Sequence, residues 1–143
     1  MSTIASPDHV TPTTATITAP TIPIAQRIAA LISYVERGRI VAAIHEFYGE
    51  DVVSRENLNP PTVGKAANLE REASFEAYVA QWHRASARTI LVDGDHAVIN
   101  WDLEYTSTDG KRWHYDEIAL QRWENGHIAE ERFVYDTASV AIA

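Results

Sequence analysis

The sequence predicts one α+β domain, with three N-terminal helices packed on an antiparallel sheet of mixed-length strands that ends in a four-strand meander. Three observations lead there. Apolar residues recur at helical spacing in the first half of the chain. In the second half they alternate at strand spacing. Three short glycine turns, Asp93-Gly94-Asp95, Thr108-Asp109-Gly110-Lys111 and Glu124-Asn125-Gly126, divide that second half. Helical segments first and a meander last place the helices on one face of the sheet. The 143 residues fit one domain around one core.

Residues 1–21 are rich in Thr, Pro, Ala and Ser, and Pro7, Pro12 and Pro20 would interrupt a helix or a central strand, so they read as a tail. The domain spans 22–137, and 138–143 form a second short tail. From Pro23, suited to a first helical turn, Ile24, Ile28, Leu31, Ile32 and Val35 mark one helical face, closed by Gly38. A second short helix carries Ile40, Val41, Ile44, Phe47 and Tyr48 and stops at Gly49, so the two pack as a hairpin. Asp51 to Leu58 makes a short strand, ended by Pro60-Pro61. A third helix runs from about Gly64 to Trp82, with Ser74 at a break. Strands follow near 85–92, 95–107, 112–123 and 127–136, and turns this short join them antiparallel.

The formal charge of -8 and the absence of any basic run argue against a nucleic-acid partner. With no cysteine, disulfides, thiolate metal sites and cysteine nucleophiles are excluded. The six histidines are dispersed, and His45-Glu46 lacks a second His four residues on, so no metal is expected. Neither a phosphate-cradling loop nor a G-x-S-x-G elbow occurs, which leaves no cofactor to expect. The start of the chain has no basic and apolar leader, and no apolar run approaches the ~18 residues of a membrane span, so a cytoplasmic protein without membrane contact is the expectation.

Phe47-Tyr-Gly-Glu-Asp-Val-Val53, Val63-Gly-Lys65 and Trp123-Glu-Asn-Gly-His-Ile-Ala-Glu-Glu-Arg-Phe-Val-Tyr-Asp136 resemble segments of the SnoaL-like, nuclear-transport-factor-2-like families. The resemblance covers about 24–137. It implies a curved sheet that closes with the helices into a cone around a pocket for a small apolar ligand or substrate, and it implies a homodimer. It is specific for fold more than for function. Similarity to ketosteroid isomerase places Glu56 at that enzyme's base and Asp116 at its donor carboxyl. The helix-1 tyrosine is replaced by Leu31, with Tyr34 about a turn away. The His114/Asp116 pair is comparable with the Asp/His combination of SnoaL-like cyclases.

On the strand from Arg112, His114, Asp116, Ile118 and Leu120 share one sheet face, and Trp113, Tyr115, Glu117, Gln121 and Trp123 the other. Parity does not say which face is inside. The resemblance makes the first face concave, which yields Asp116 and His114 as an acid/base pair with Glu56 as a second carboxylate. Trp101, Tyr105, Phe133, Tyr135, Tyr34 and Ile118 would then line the pocket. The aromatic second face, too apolar for water, would be covered by dimerisation. Two functions follow: a cofactor-independent isomerase, cyclase or dehydratase transferring protons on an apolar carbonyl compound, or a non-catalytic ligand-binding or dimeric adaptor domain.

Overall fold

The computed structural model describes residues 22–138 and the backbone of 141–142; the expected N-terminal tail lies outside the described residues. Helices α1 (Ile24–Glu36) and α2 (Ile40–Phe47) precede strands β1 (Tyr48–Glu56) and β2 (Thr62–Val63). Helix α3 (Lys65–Tyr78) leads into β3 (Val79–Asp93), β4 (His96–Ser107), β5 (Arg112–Glu124), β6 (His127–Val134) and the two-residue β7 (Ala141–Ile142). The sheet order is β2-β1-β6-β5-β4-β3, with β7 beside β5. From β3 to β6 each strand is antiparallel to the next.

Strand β1 lies between α2 and α3, where the sequence places a short strand. One expectation is corrected: the sheet is not wholly antiparallel, because β1 runs parallel to β6, with Ser54 opposite Glu131 and Glu56 opposite Phe133. A parallel pair between strands so far apart in sequence has no turn to announce it.

Each element has a local cause. The carbonyl of Pro23 accepts bonds from the Gln26 and Arg27 amides at 3.0 and 3.2 Å, which starts α1. Gly38 takes φ +70°, and its amide closes the helix end on the Val35 carbonyl at 2.9 Å. A side chain there would be strained, and a Cβ would stand 2.6 Å from the Trp82 indole. Gly38→Ala should therefore lower the melting temperature more than Gly94→Ala, where φ is also positive but no atom lies within 4 Å. Equal losses in the two variants would show that contact with Trp82 is immaterial.

Helix α3 ends four residues before its expected end. Residues from Val79 onward pair along the whole of β4, from Val79 opposite Ser107 to Asp93 opposite His96. Those ladder bonds outweigh the local helical pattern that Trp82 suggests. Ser74 causes no break; its hydroxyl bonds to the Glu70 carbonyl at 3.1 Å within a continuous helix. Three register shifts along β3 bend this edge strand.

The core is the contact between helices and sheet. Ile28 and Leu31 of α1 and Ala43, Ile44 and Phe47 of α2 pack on Ile99 and Trp101 of β4, Trp123 of β5 and Ile128 of β6. Phe47 meets Tyr34 and Trp123 edge-on, with centroids 5.5 and 6.4 Å away. Val41's amide is capped by the Glu76 carboxylate at 3.0 Å, which ties α2 to α3.

The faces of β5 are the reverse of the reading that the resemblance supported. Trp113, Tyr115, Glu117, Gln121 and Trp123 share the inner face, opposite inward Tyr105, Leu103 and Trp101 of β4. Asp116, Ile118 and Leu120 are exposed on the outer face. A shift of one residue moves every side chain of a strand to the other side. The aromatic face is covered by the protein's own helices and needs no second copy to shield it from water.

On the outer face an ion network spans three strands. Asp102, 2% exposed, accepts bonds from Arg84 Nε at 2.6 Å, from Arg88 and from His114 Nε2 at 2.6 Å. Burial raises the acid's pKa, but these bonds outweigh it and hold Asp102 at about 2. Glu104 accepts from Arg112 and pairs with Arg84 at 3.1 Å. The guanidinium groups crowded around both carboxylates account for buried acids on a solvent-facing surface.

Candidate functional site

Between the helices and the inner face lies a cavity of about 440 Å³, a size that suits a small organic ligand. Leu31, Val35, Ile40 and Ile44 form its helical wall. Trp101, Leu103 and Tyr105 of β4 and Tyr115 of β5 form its sheet wall, and Phe75, Tyr78 and Trp82 lie at the end of α3 and the start of β3. The rings of Phe75, Trp82 and Tyr105 touch one another, with centroids 5.4 to 6.0 Å apart. Much of this wall is hydrocarbon and aromatic, so any charge in it is poorly solvated.

Against that wall stand four carboxyl groups from four elements: Glu56 (β1), Glu72 (α3), Glu117 (β5) and Glu131 (β6). Glu131 is held at both oxygens. Tyr48 donates its hydroxyl to one and Gln121 its amide to the other, and the Trp123 indole in turn donates to Gln121 at 3.0 Å. Burial raises Glu131 to about 7 although Tyr48 and Gln121 both pull the other way. Glu72 receives Arg71 through Nε and Nη2 at 3.0 and 2.7 Å. Burial nevertheless raises it, with Glu56 and Glu76 adding to the effect against Arg71. Glu56 accepts the Tyr135 hydroxyl at 2.8 Å. Asn57, next to it, takes φ +49° and accepts the Tyr135 amide at 3.0 Å, so the ends of β1 and β6 are locked together.

Glu117 differs from the other three. No hydrogen bond reaches its carboxyl from the described residues, and it faces the cavity beside its cross-strand neighbour Trp101. Burial, and then the nearby Glu131, Glu56 and Glu72, raise it to about 8. At neutral pH it is therefore chiefly a neutral acid, able to donate a proton to whatever enters. Burial also raises Tyr115, although neighbouring Tyr105 lowers it. Their rings stack 6.1 Å apart.

Of the residues singled out in the sequence, Glu56, Trp101, Tyr105, Phe133 and Tyr135 lie on the cavity wall. Asp116 does not: it is exposed on the outer face and accepts a bond from Asn100 at 2.7 Å. His114 binds Asp102 there, not Asp116. Ile118, 40% exposed, shares that outer face. Tyr34 packs on Phe47 beneath Arg37 and Arg39, off the cavity wall.

The residues missed were Glu117, Glu131, Glu72 and Arg71. Glu131 had a signal, since it alternates in phase with Phe133 and Tyr135. Glu117 had one too: it sits among Trp113, Tyr115 and Trp123, and so many aromatics on one strand face belong against a core. Arg71 and Glu72 had none that sets them apart from a solvated helix face.

A model of the SnoaL-like domain matches residues 28–131. The chain belongs to the SnoaL-like domain family. No curated protein matches its sequence. Among solved structures, this SnoaL-like domain is similar to a candidate SnoaL-like polyketide cyclase from Mesorhizobium loti, at 25% identity and a TM-score of 0.67 over 78% of this chain and 98% of that one. It is also similar to a nuclear-transport-factor-2-like protein of unknown function from Burkholderia pseudomallei, at 16% identity and TM-score 0.69, covering 80% and 92%. A third match is TerC co-crystallised with polyporic acid, at 19% identity and TM-score 0.69, covering 82% and 95%. The last two show a shared fold. Among the described residues of this SnoaL-like domain, no helix is long and apolar enough to cross a membrane.

Proposed function

We propose that this SnoaL-like domain is a cofactor-independent enzyme that moves a proton on a small, largely apolar carbonyl compound, as an isomerase, cyclase or dehydratase does. The observation that carries this reading is the carboxyl of Glu117, unpartnered by the described residues, inside an aromatic cavity and raised to about 8. A group titrating near neutrality gives and takes a proton with little cost in either direction. Glu117 therefore stands in the role that the sequence reading assigned to Asp116. Glu56, oriented by Tyr135, is the second carboxyl on the same cavity. The likeness to a candidate polyketide cyclase supports the substrate class without naming a substrate.

Hydrogen–deuterium exchange tests it. With a bicyclic ketone such as 2-tetralone in D₂O, the protein should speed exchange at the carbon next to the carbonyl above the buffer rate, read by NMR. A panel of such ketones showing only the buffer rate would favour the non-catalytic binding domain.

We also propose that two copies pair through the outer sheet face, for a reason other than the one read from the sequence. Leu91, Val98 and Leu120 are cross-strand neighbours there, as are Ile118 and Val134. Leu91 is 61% exposed and Leu120 40%. Such a continuous apolar band favours self-association. Sedimentation of a dilute sample should give twice the 15.9 kDa chain mass, and Leu120→Lys should give a folded monomer. A wild-type monomer would refute the pairing.

A further inference from the structure

The cavity's charges do not balance. Glu56, Glu72, Glu117 and Glu131 all reach it, while Arg71 is the one Lys, Arg or His among its described lining residues. Arg71 is already engaged, with Nε and Nη2 on Glu72 and Nη1 3.4 Å from the Thr62 hydroxyl. Glu131 and Glu56 are satisfied by uncharged donors, Tyr48 and Gln121 for one and Tyr135 for the other. Among the described residues, no cationic side chain is left over to pair with Glu117. Glu117 is half-buried on the cavity wall, and a ligand that supplies its carboxyl a charged partner gains an interaction the empty protein lacks.

The surrounding rings fit the same charge. Phe75, Trp82 and Tyr105 form a contiguous aromatic surface, and Tyr115 and Tyr135 meet edge to face at 5.2 Å. Aromatic faces attract cations and repel anions.

We propose that the ligand of this cavity is an aromatic or polycyclic molecule bearing a protonated amine, its ammonium set against Glu117 and its apolar body against Phe75, Trp82 and Tyr105. The inference rests on the cavity being the functional site and adds the charge of what enters it. In the proton-transfer reading, the substrate is then an amine-bearing carbonyl compound.

A consequence follows for Glu117. The groups facing it are Glu131 on β6, Glu56 on β1, Glu72 and Arg71 on α3, Tyr115 on its own strand and Tyr135 beyond β6. Three of these are acids that favour the protonated form of Glu117, and Arg71 alone opposes them. An arriving ammonium shifts that balance and displaces the proton to solvent. Glu117 then enters the reaction as a base.

Calorimetry with three matched probes tests this: 2-(2-naphthyl)ethylamine, the corresponding alcohol 2-(2-naphthyl)ethanol, and 2-naphthylacetate. At pH 7 the amine should bind at least tenfold more tightly than the alcohol, and the acetate most weakly. Runs in buffers of different ionisation enthalpy should show proton release with the amine and none with the alcohol. Amine affinity should rise up to about tenfold per pH unit between pH 6 and 8. Glu117→Gln should abolish proton release and most of the preference for the amine over the alcohol. An alcohol or acetate that binds as tightly as the amine overturns the charge inference, as does a Glu117→Gln variant that keeps the preference. In either case, exchange on a neutral ketone would still stand as support for proton transfer. If none of the probes binds, both the inference and the cavity reading fall.

Discussion

Glu117→Gln should lower turnover by a factor on the order of 10²–10⁴ and leave the fold intact, while Asp116→Asn one residue away should leave turnover unchanged. The first magnitude is that of a positioned general acid or base. Glutamine keeps the shape and polarity of the side chain and loses only the transferable proton, so the loss isolates proton transfer from packing. The neighbouring variant is a control for face: Asp116 is exposed and bonded to Asn100 on the far side of the sheet. Circular dichroism and melting curves on both proteins separate inactivity from unfolding. Undiminished turnover in Glu117→Gln, or a comparable loss in Asp116→Asn, would contradict the assignment.

Raising the pH from 5 to 9 should destabilise the protein, by up to about 1.4 kcal/mol per pH unit for each buried acid still protonated in the fold but ionised when unfolded. Glu117 and Glu131 rise from 4.5 to about 8 and about 7. A carboxyl whose folded pKa lies above its unfolded one contributes stability that is complete below about 4.5 and lost as pH climbs through the folded value. Asp102 has the opposite sign. Lowered from 3.8 to about 2, it contributes stability present above 3.8 and lost as pH falls through 2. The melting temperature should therefore peak between about pH 4 and 5 and fall on both sides. Glu117→Gln should flatten the alkaline limb and melt higher than wild type at pH 9. A melting temperature that rises from pH 5 to 9, or a variant with the wild-type slope, would show that these carboxyls are not held protonated.

The helical faces of α1 and α2, the strand spacing after residue 83 and the three glycine turns were all legible in the residues, because each is set by neighbours along the chain: a 3.6-residue or two-residue period, or a turn that needs positive φ. The aromatics Trp101, Phe133 and Tyr135 and the acid Glu56 were legible as candidates in the same way, by alternation and resemblance. What alternation cannot supply is which side of the sheet the helices cover, since a strand read one residue out of phase has the same period and opposite faces. That decision put Glu117 in the cavity and left Asp116 and His114 outside. Nor could it supply the parallel pairing of β1 with β6, which brings Glu56 beside Phe133 and Tyr135 from more than seventy residues away in sequence. Composition and periodicity therefore determined that this chain is an α+β domain with aromatic and acidic residues on its strands. Only tertiary packing, by burying one face in low dielectric and leaving the other in water, decided which of two adjacent carboxyls could become an acid at neutral pH.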